Sequence, residues 1–268
     1  MNPLRILRAA VRPVLGRDRP IWRTLRSPRL RYVAFGDPVD AFIYSLLISL
    51  PRVRFIQIGS YDGQTNDPLW TFREYPNWSG VLVEPFEPVF RRLEKNYEEW
   101  SDRFTLVNVA VGPERGMKPF YHLRETDPPS DHHDQLGSMN DALVRQHASH
   151  FSLADEGAVV VSQVRCVTLA DLCDAHEIAT LDVVHIDAEG SDAVIIEQFD
   201  FERYDPTVVL YEQVHLSQDE KDAALGRLSA YGYEAVSLGT DALAVRRAEV
   251  DRLPALRTAW RMVEIGTR

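Results

Sequence analysis

Cysteine is scarce in this chain of 268 residues: there are two, Cys166 and Cys173, and no cluster of cysteine and histidine at zinc-ligand spacing accompanies them. That argues against a disulfide framework and suits a reducing cytoplasm. Long apolar runs are missing as well. A membrane-crossing helix needs roughly 18 apolar residues, and the longest stretch, Ala41 to Leu50, falls short and reads as a buried helix. An N-terminal apolar segment of the secretion-signal type is lacking. The three-glycine G-x-G-x-x-G of dinucleotide enzymes is also absent, which leaves less provision for a pyrophosphate. Positive charge is short everywhere but at one end. Residues 1–31 hold nine arginines and one acid, Asp18, for a charge of +8, so a chain at −10 carries −18 in the remainder. An acidic body of that kind does not suit nucleic-acid backbones.

What is present is an ordinary globular composition, 45% hydrophobic and 26% charged, sufficient for one α/β domain. We read residues 1–35 as a basic extension and 36–268 as the domain, with an insertion at about 113–165. The extension admits three uses: a mobile tail, an arm that stabilises a homo-oligomer, or a membrane-surface patch built on Leu4, Ile6, Leu7 and Val11.

Apolar periodicity then sets the elements. Asp37-Pro38 opens a helix to Leu50, and Arg54 to Ile58 is a strand buried on both faces. Tyr61-Asp62-Gly63 makes a turn, and Asp67-Pro68 predicts a second helix over Leu69 to Tyr75. Val81 to Glu84 is the next strand; its helix, Glu87 to Trp100, lines up Phe90, Leu93 and Tyr97 on one face. Phe104 to Val111 reads as one strand closed by Gly112-Pro113, with strands also at Phe120 to Leu123 and Val159 to Val167, and a loop at Asp127 to Asp134. Thr168 with Asp171 and Ser217 with Glu220 are capping boxes. Leu181 to Ile186 and Thr207 to Tyr211 are further parallel strands, a helix starts near Ser191, and Glu234 to Leu238 with Ala242 to Arg246 form a terminal hairpin.

The chemistry-bearing residues fall at strand ends. Gln57-x-Gly59-x-x-x-Gly63 lets the backbone turn sharply and a ligand approach the main chain, or it is a tight turn with no ligand. Glu84 ends the next strand, where a carboxylate can accept both hydroxyls of a ribose.

Phe55-Ile-Gln-Ile-Gly-Ser-Tyr-Asp-Gly63, Gly80-Val-Leu-Val-Glu-Pro85, Val107-Asn-Val-Ala-Val-Gly112, Val167-Thr-Leu-Ala-Asp-Leu172 and Val184-His-Ile-Asp-Ala-Glu-Gly190 together resemble the ordered motifs of the FkbM-type S-adenosylmethionine-dependent methyltransferases. The resemblance spans Val53 to Val245. It implies a class I methyltransferase fold, a Rossmann-like, seven-stranded, doubly wound α/β sheet with an antiparallel last strand, and methyl transfer to a hydroxyl of a saccharide or natural product. It also implies that Gly59, Ser60 and Tyr61 line the methionine end by their backbone, and that Glu84 holds the ribose. Asn108, Val109 and Ala110 would lie near the adenine, and Asp187 and Ala188 beside the methionine. Gln57, Asp62, Gly63, Pro85 and Ser138 complete the implied cofactor set. At Gln57 the family usually has an acid, and an amide carbonyl can still accept from the cofactor's ammonium without the charge attraction.

Asp187, Glu189, Glu212 and His215 form a second constellation. His215 is a candidate general base because its ordinary pKa lies near neutrality, with Asp187 as the alternative and a helix-entry role as the bland one. Glu189 reads as an acid at a helix N-terminus. Asp187, Glu212 and His215 could instead hold a divalent metal. His132-His133 fits a solvated loop better than a metal site, and Pro128 to Met139, with Gly137-Ser138, reads as a lid over the cofactor. The competing functions are a non-catalytic cofactor- or glycan-binding protein, suggested by Gln57, and a nicotinamide dehydrogenase, disfavoured by the missing third glycine.

Overall fold

The computed structural model describes residues 38–124, 134–150 and 157–266. The arginine-rich extension, the Asp37 cap and most of the Asp127 to Asp134 loop, including His132 and His133, lie outside the described residues.

Helix α1 (Pro38–Ser49) leads into strand β1 (Val53–Ile58), and β2 (Trp78–Val83) follows with its helix α2 (Glu87–Tyr97). Next come β3 (Phe104–Val107), β4 (Ala110–Val111), β5 (Gly116–Leu123), α3 (Asp141–His150), β6 (Val159–Val167) and α4 (Leu169–Ala175). The chain continues through β7 (Val183–Ile186), α5 (Asp192–Gln198), α6 (Phe201–Tyr204), β8 (Val208–Glu212) and α7 (Gln218–Ala230). It closes with β9 (Tyr233–Ser237), β10 (Asp241–Arg246), α8 (Arg247–Arg252) and α9 (Pro254–Gly266).

The main sheet has seven strands in the order β3-β2-β1-β7-β8-β10-β9, and β10 runs antiparallel to both of its neighbours. The order reverses at β1, where β2 pairs on one side and β7 on the other, so the carboxyl ends of these strands frame a crevice. Alternation within strands divides the core. Val53 and Phe55 face a cluster with α1, α2 and α9, while Ile56 and Ile58 face one with α4, α5 and α7. Both faces are covered, as a parallel sheet requires. Phe42 of α1 meets Trp260 of α9 edge to face at 6.1 Å between ring centroids, so the C-terminal helix completes one layer. Both capping boxes form at α4 and α7.

Two predicted elements differ. The helix expected over Leu69 to Tyr75 is a five-residue 3₁₀ turn, Trp70–Glu74. Tyr75 precedes Pro76 and is extended, at φ −80° and ψ 127°, because a proline disfavours the helical region for the residue before it. The strand expected over Phe104 to Val111 is two strands in two sheets. At Asn108 the chain turns tightly, with Val109 N–H donating to Val107 C=O at 3.2 Å, and Ala110–Val111 pairs with Cys166–Val167 instead of β2. The strands expected at Phe120 to Leu123 and Val159 to Val167 are present as β5 and β6 and form a three-stranded sheet with β4, and α3, which was not expected, packs Val144 and Ala148 against Leu123 and Ala158.

Candidate active site

A cleft opens at the carboxyl ends of β1, β2, β7 and β8, lined by Gln57, Gly59, Glu84, Asp187 and Glu212 among others. Its β1–β2 half is shaped by backbone. Gly59 has φ +79°, and a Cβ there would sit 1.7 Å from the Asp187 carbonyl oxygen, so glycine lets the first turn press against the end of β7. Ser60 Oγ donates to Gln57 C=O at 3.1 Å and accepts Val83 N–H at 3.0 Å, joining two strand ends. Tyr61, at φ +48°, donates its N–H to Glu84 Oε2 at 3.1 Å, and Phe86 N–H donates to Glu84 Oε1 at 2.8 Å. Burial pushes the Glu84 carboxyl up to about 8, against the pull of those two amides. Asn108 donates to the carbonyls of Glu84 and Pro85 at 2.8 and 3.1 Å and so fastens this corner. Beside it Val109 and Ala110 line the cleft together with Pro85, Phe86 and Phe120.

The β7–β8 half concentrates charge. Asp187 and Glu212 end the two strands, and the turn between Asp187 and α5 puts Glu189 at φ +48° and Gly190 at φ +90°. His215 Nε2 lies 3.2 Å from Glu189 Oε2 and 3.7 Å from Glu212 Oε2. The His147 ring, from α3, stands edge to face against His215 at 5.1 Å. Burial, then the neighbouring Glu189, raises Asp187 to about 7; burial, then Asp187 and Glu189, raises Glu212 to about 10. Asp192, fully buried behind them, is raised well above its ordinary range by burial and then by Asp187. Burial lowers His147. Ligand atoms of Asp187, Glu189 and Glu212, and of His147, Glu189 and His215, lie within 4.8 Å of one another, so either group could hold a divalent metal.

Most residues expected from the sequence therefore meet. Gln57, Gly59, Ser60, Tyr61, Glu84 and Pro85 line the cleft, as do Val109, Ala110, Asp187, Ala188 and Glu212. Others stand behind it. Asp62 accepts the N–H groups of Gln64 and Thr65 at 2.9 and 2.7 Å and shapes the turn. Gly63 is a packing glycine: at φ +68°, a Cβ would meet Leu93 Cδ1 at 2.5 Å. Ser138 donates to Glu189 C=O at 2.7 Å and is 1% exposed, so its side chain ties the Glu189 turn to β5 while Gly137 lines the cleft. Glu189 is not a free helix-terminal acid; it precedes α5 by a turn, and its carboxylate faces His215. The sequence reading missed Asp67, His185 and His147. Asp67 reads as a helix cap, and no periodicity reveals that α3 would carry His147 to His215.

Residues 57–235 match the family described as "Methyltransferase FkbM domain". No curated protein matches the chain. Among solved structures, the methyltransferase FkbM from Methylobacillus flagellatus KT is similar at 13% identity and a TM-score of 0.46; the match covers 90% of this chain and 57% of that one. The precorrin-6y C5,15-methyltransferase from Geobacter metallireducens GS-15 is similar at 16% identity and a TM-score of 0.39, covering 77% and 86% respectively. A human methyltransferase 10 domain containing protein gives 13% identity and a TM-score of 0.41, covering 78% and 80%.

Proposed function

We propose that this chain, which belongs to the FkbM methyltransferase family, transfers a methyl group from S-adenosylmethionine to a hydroxyl of a saccharide or natural-product acceptor. The observation that carries the reading is the junction of cleft and base: Glu189 and Glu212 line the cleft, and His215 contacts both.

The residues suit the cofactor. Among the described residues no lysine or arginine lines the cleft, whereas Asp67, Glu84, Asp187, Glu189 and Glu212 do. Such a wall favours a cation over a neutral molecule. When bound, the cofactor supplies a methyl group on a positively charged sulfur. Each Glu84 oxygen already accepts one backbone N–H and keeps a second lone pair for a ribose hydroxyl. The apolar surfaces of Val109, Phe86 and Phe120 suit a flat ring. On the acceptor side, His215 Nε2 lies 3.2 Å from Glu189 Oε2 and 3.7 Å from Glu212 Oε2, so the imidazole would take the hydroxyl proton and the Glu189 carboxylate would stabilise the imidazolium that forms. Asp187 is the other proton acceptor within the cleft.

Transfer of labelled methyl groups to a panel of sugars and polyketide-like hydroxyls, with the product linkage read by NMR, tests this. An O-methyl ether supports the reading; an N- or C-methyl product, or no binding of the cofactor, overturns it. A divalent cation is a second reading, favoured by the convergence of His147, Glu189 and His215. It would lower the pKa of an acceptor hydroxyl, and full activity after exhaustive chelation removes it.

A further inference from the structure

Among the described residues, six buried polar atoms of cleft-lining residues have no hydrogen-bond partner; Gln135 Nε2, Glu189 Oε2 and Glu212 Oε2 are three, and Gln57 Oε1, Asp67 Oδ2 and His185 Nδ1 are the others. Gln57 is 1% exposed and His185 4%, and the two are register partners in the β1–β7 ladder, so they lie side by side on one face of the sheet. Asp67 joins them through Gln57 Nε2, which donates to Asp67 Oδ1 at 3.1 Å; the same oxygen accepts Leu69 N–H at 2.7 Å. That bond fixes the amide, because the flipped orientation would set two acceptor oxygens against each other. One amide oxygen and one carboxylate oxygen, on side chains already linked, are thus left in the cleft without a donor.

Leaving two buried acceptors unmet is costly, and a buried carboxylate without a cation more so. No lysine or arginine among the described residues lines the cleft to answer them. Burial lowers His185 to about 4, so its ring is neutral and brings no charge. What the pair lacks is a small cation with several N–H donors, and a primary ammonium carries three.

We propose that Gln57 Oε1 and Asp67 Oδ2 form the subsite for the ammonium of the bound amino-acid moiety, with Asp67 supplying the counter-charge that Gln57 cannot. The inference rests on the cofactor reading above and adds a residue to it. It also removes the ground on which Gln57 suggested a degenerate site, since a carboxylate stands beside the amide. Burial raises Asp67 to about 7, and a cation seated on Oδ2 would draw it back down.

Calorimetry on the full chain tests the assignment with two probes, S-adenosylhomocysteine and its des-amino analogue, in which hydrogen replaces the ammonium. The wild type should favour the amino compound by at least about tenfold. Asp67→Asn should lose at least about tenfold for it and little for the des-amino analogue, and adding Gln57→Glu should restore the preference. Thermal melts establish that each variant is folded. Equal weakening of both probes by Asp67→Asn in a folded protein, or no weakening of either, overturns the subsite alone. No heat with either probe for the wild type overturns the cofactor reading together with the subsite.

Discussion

Along the β1–β2 half of the cleft, polar side chains are largely committed to backbone: Ser60 to Gln57 and Val83, Glu84 to Tyr61 and Phe86, Asn108 to Glu84 and Pro85. Along the β7–β8 half, Glu189 Oε2 and Glu212 Oε2 are buried with no hydrogen-bond donor, and they converge on one histidine. The first half is organised as shape and the second as charge. A mutation in one should disturb folding before chemistry, and in the other chemistry before folding.

The sharpest test of the shape half is Gly59→Ala. A methyl group at φ +79° would overlap the Asp187 carbonyl, so we expect a loss of at least about 4 kcal/mol, read by denaturant melts. A near-neutral change would show that the two strand ends are not locked together. His215→Ala probes the charge half. Methyl transfer should fall by about 10²- to 10⁴-fold, while cofactor affinity and melting temperature stay close to wild type. If affinity collapses with rate, the division into halves fails.

The raised carboxyls make a third prediction, with opposite sign from most acids. Asp67 and Asp187 hold their protons up to about 7 when folded, above the unfolded value near 4. Between those limits the folded state binds more protons, so stability falls as pH rises, by about 1.4 kcal/mol per pH unit per group, and levels off above pH 7. Glu84, raised to about 8, and Glu212, raised to about 10, extend the decline. His185, lowered to about 4, acts oppositely between 4 and 6.5 but is outnumbered. Melting temperature measured from pH 5 to 8 should therefore drop for the free protein, and drop less when the sulfonium cofactor is saturating. The smallest effect expected is from Ser138→Ala, which removes the bond to the Glu189 carbonyl and the one accepted from Asn140 N–H: about 1–2 kcal/mol of stability and a few-fold in rate, with unchanged cofactor binding in calorimetry.

Much of this was legible in the chain. The strand pattern, both capping boxes and the terminal hairpin follow from local alternation and hydrogen-bonding side chains, which neighbours in sequence decide. Glu84, Asp187 and Glu212 were readable because they end apolar runs. Where the reading erred, a later or distant residue had decided. Pro76 held Tyr75, the last residue of the helix expected after Asp67, extended, and Asn108 reached back to Glu84 and Pro85 and broke a strand in two.

By itself the sequence determined that a doubly wound sheet forms and that its strand ends carry carboxylates, because period and burial are properties of short segments. Only the tertiary structure decided what those groups face. Asp67 beside Gln57, ten residues on, and His147 beside His215, brought in on α3, are juxtapositions made by turns and by an inserted layer. A side chain's partner is set by where the whole chain folds, and that is not written in the spacing around it.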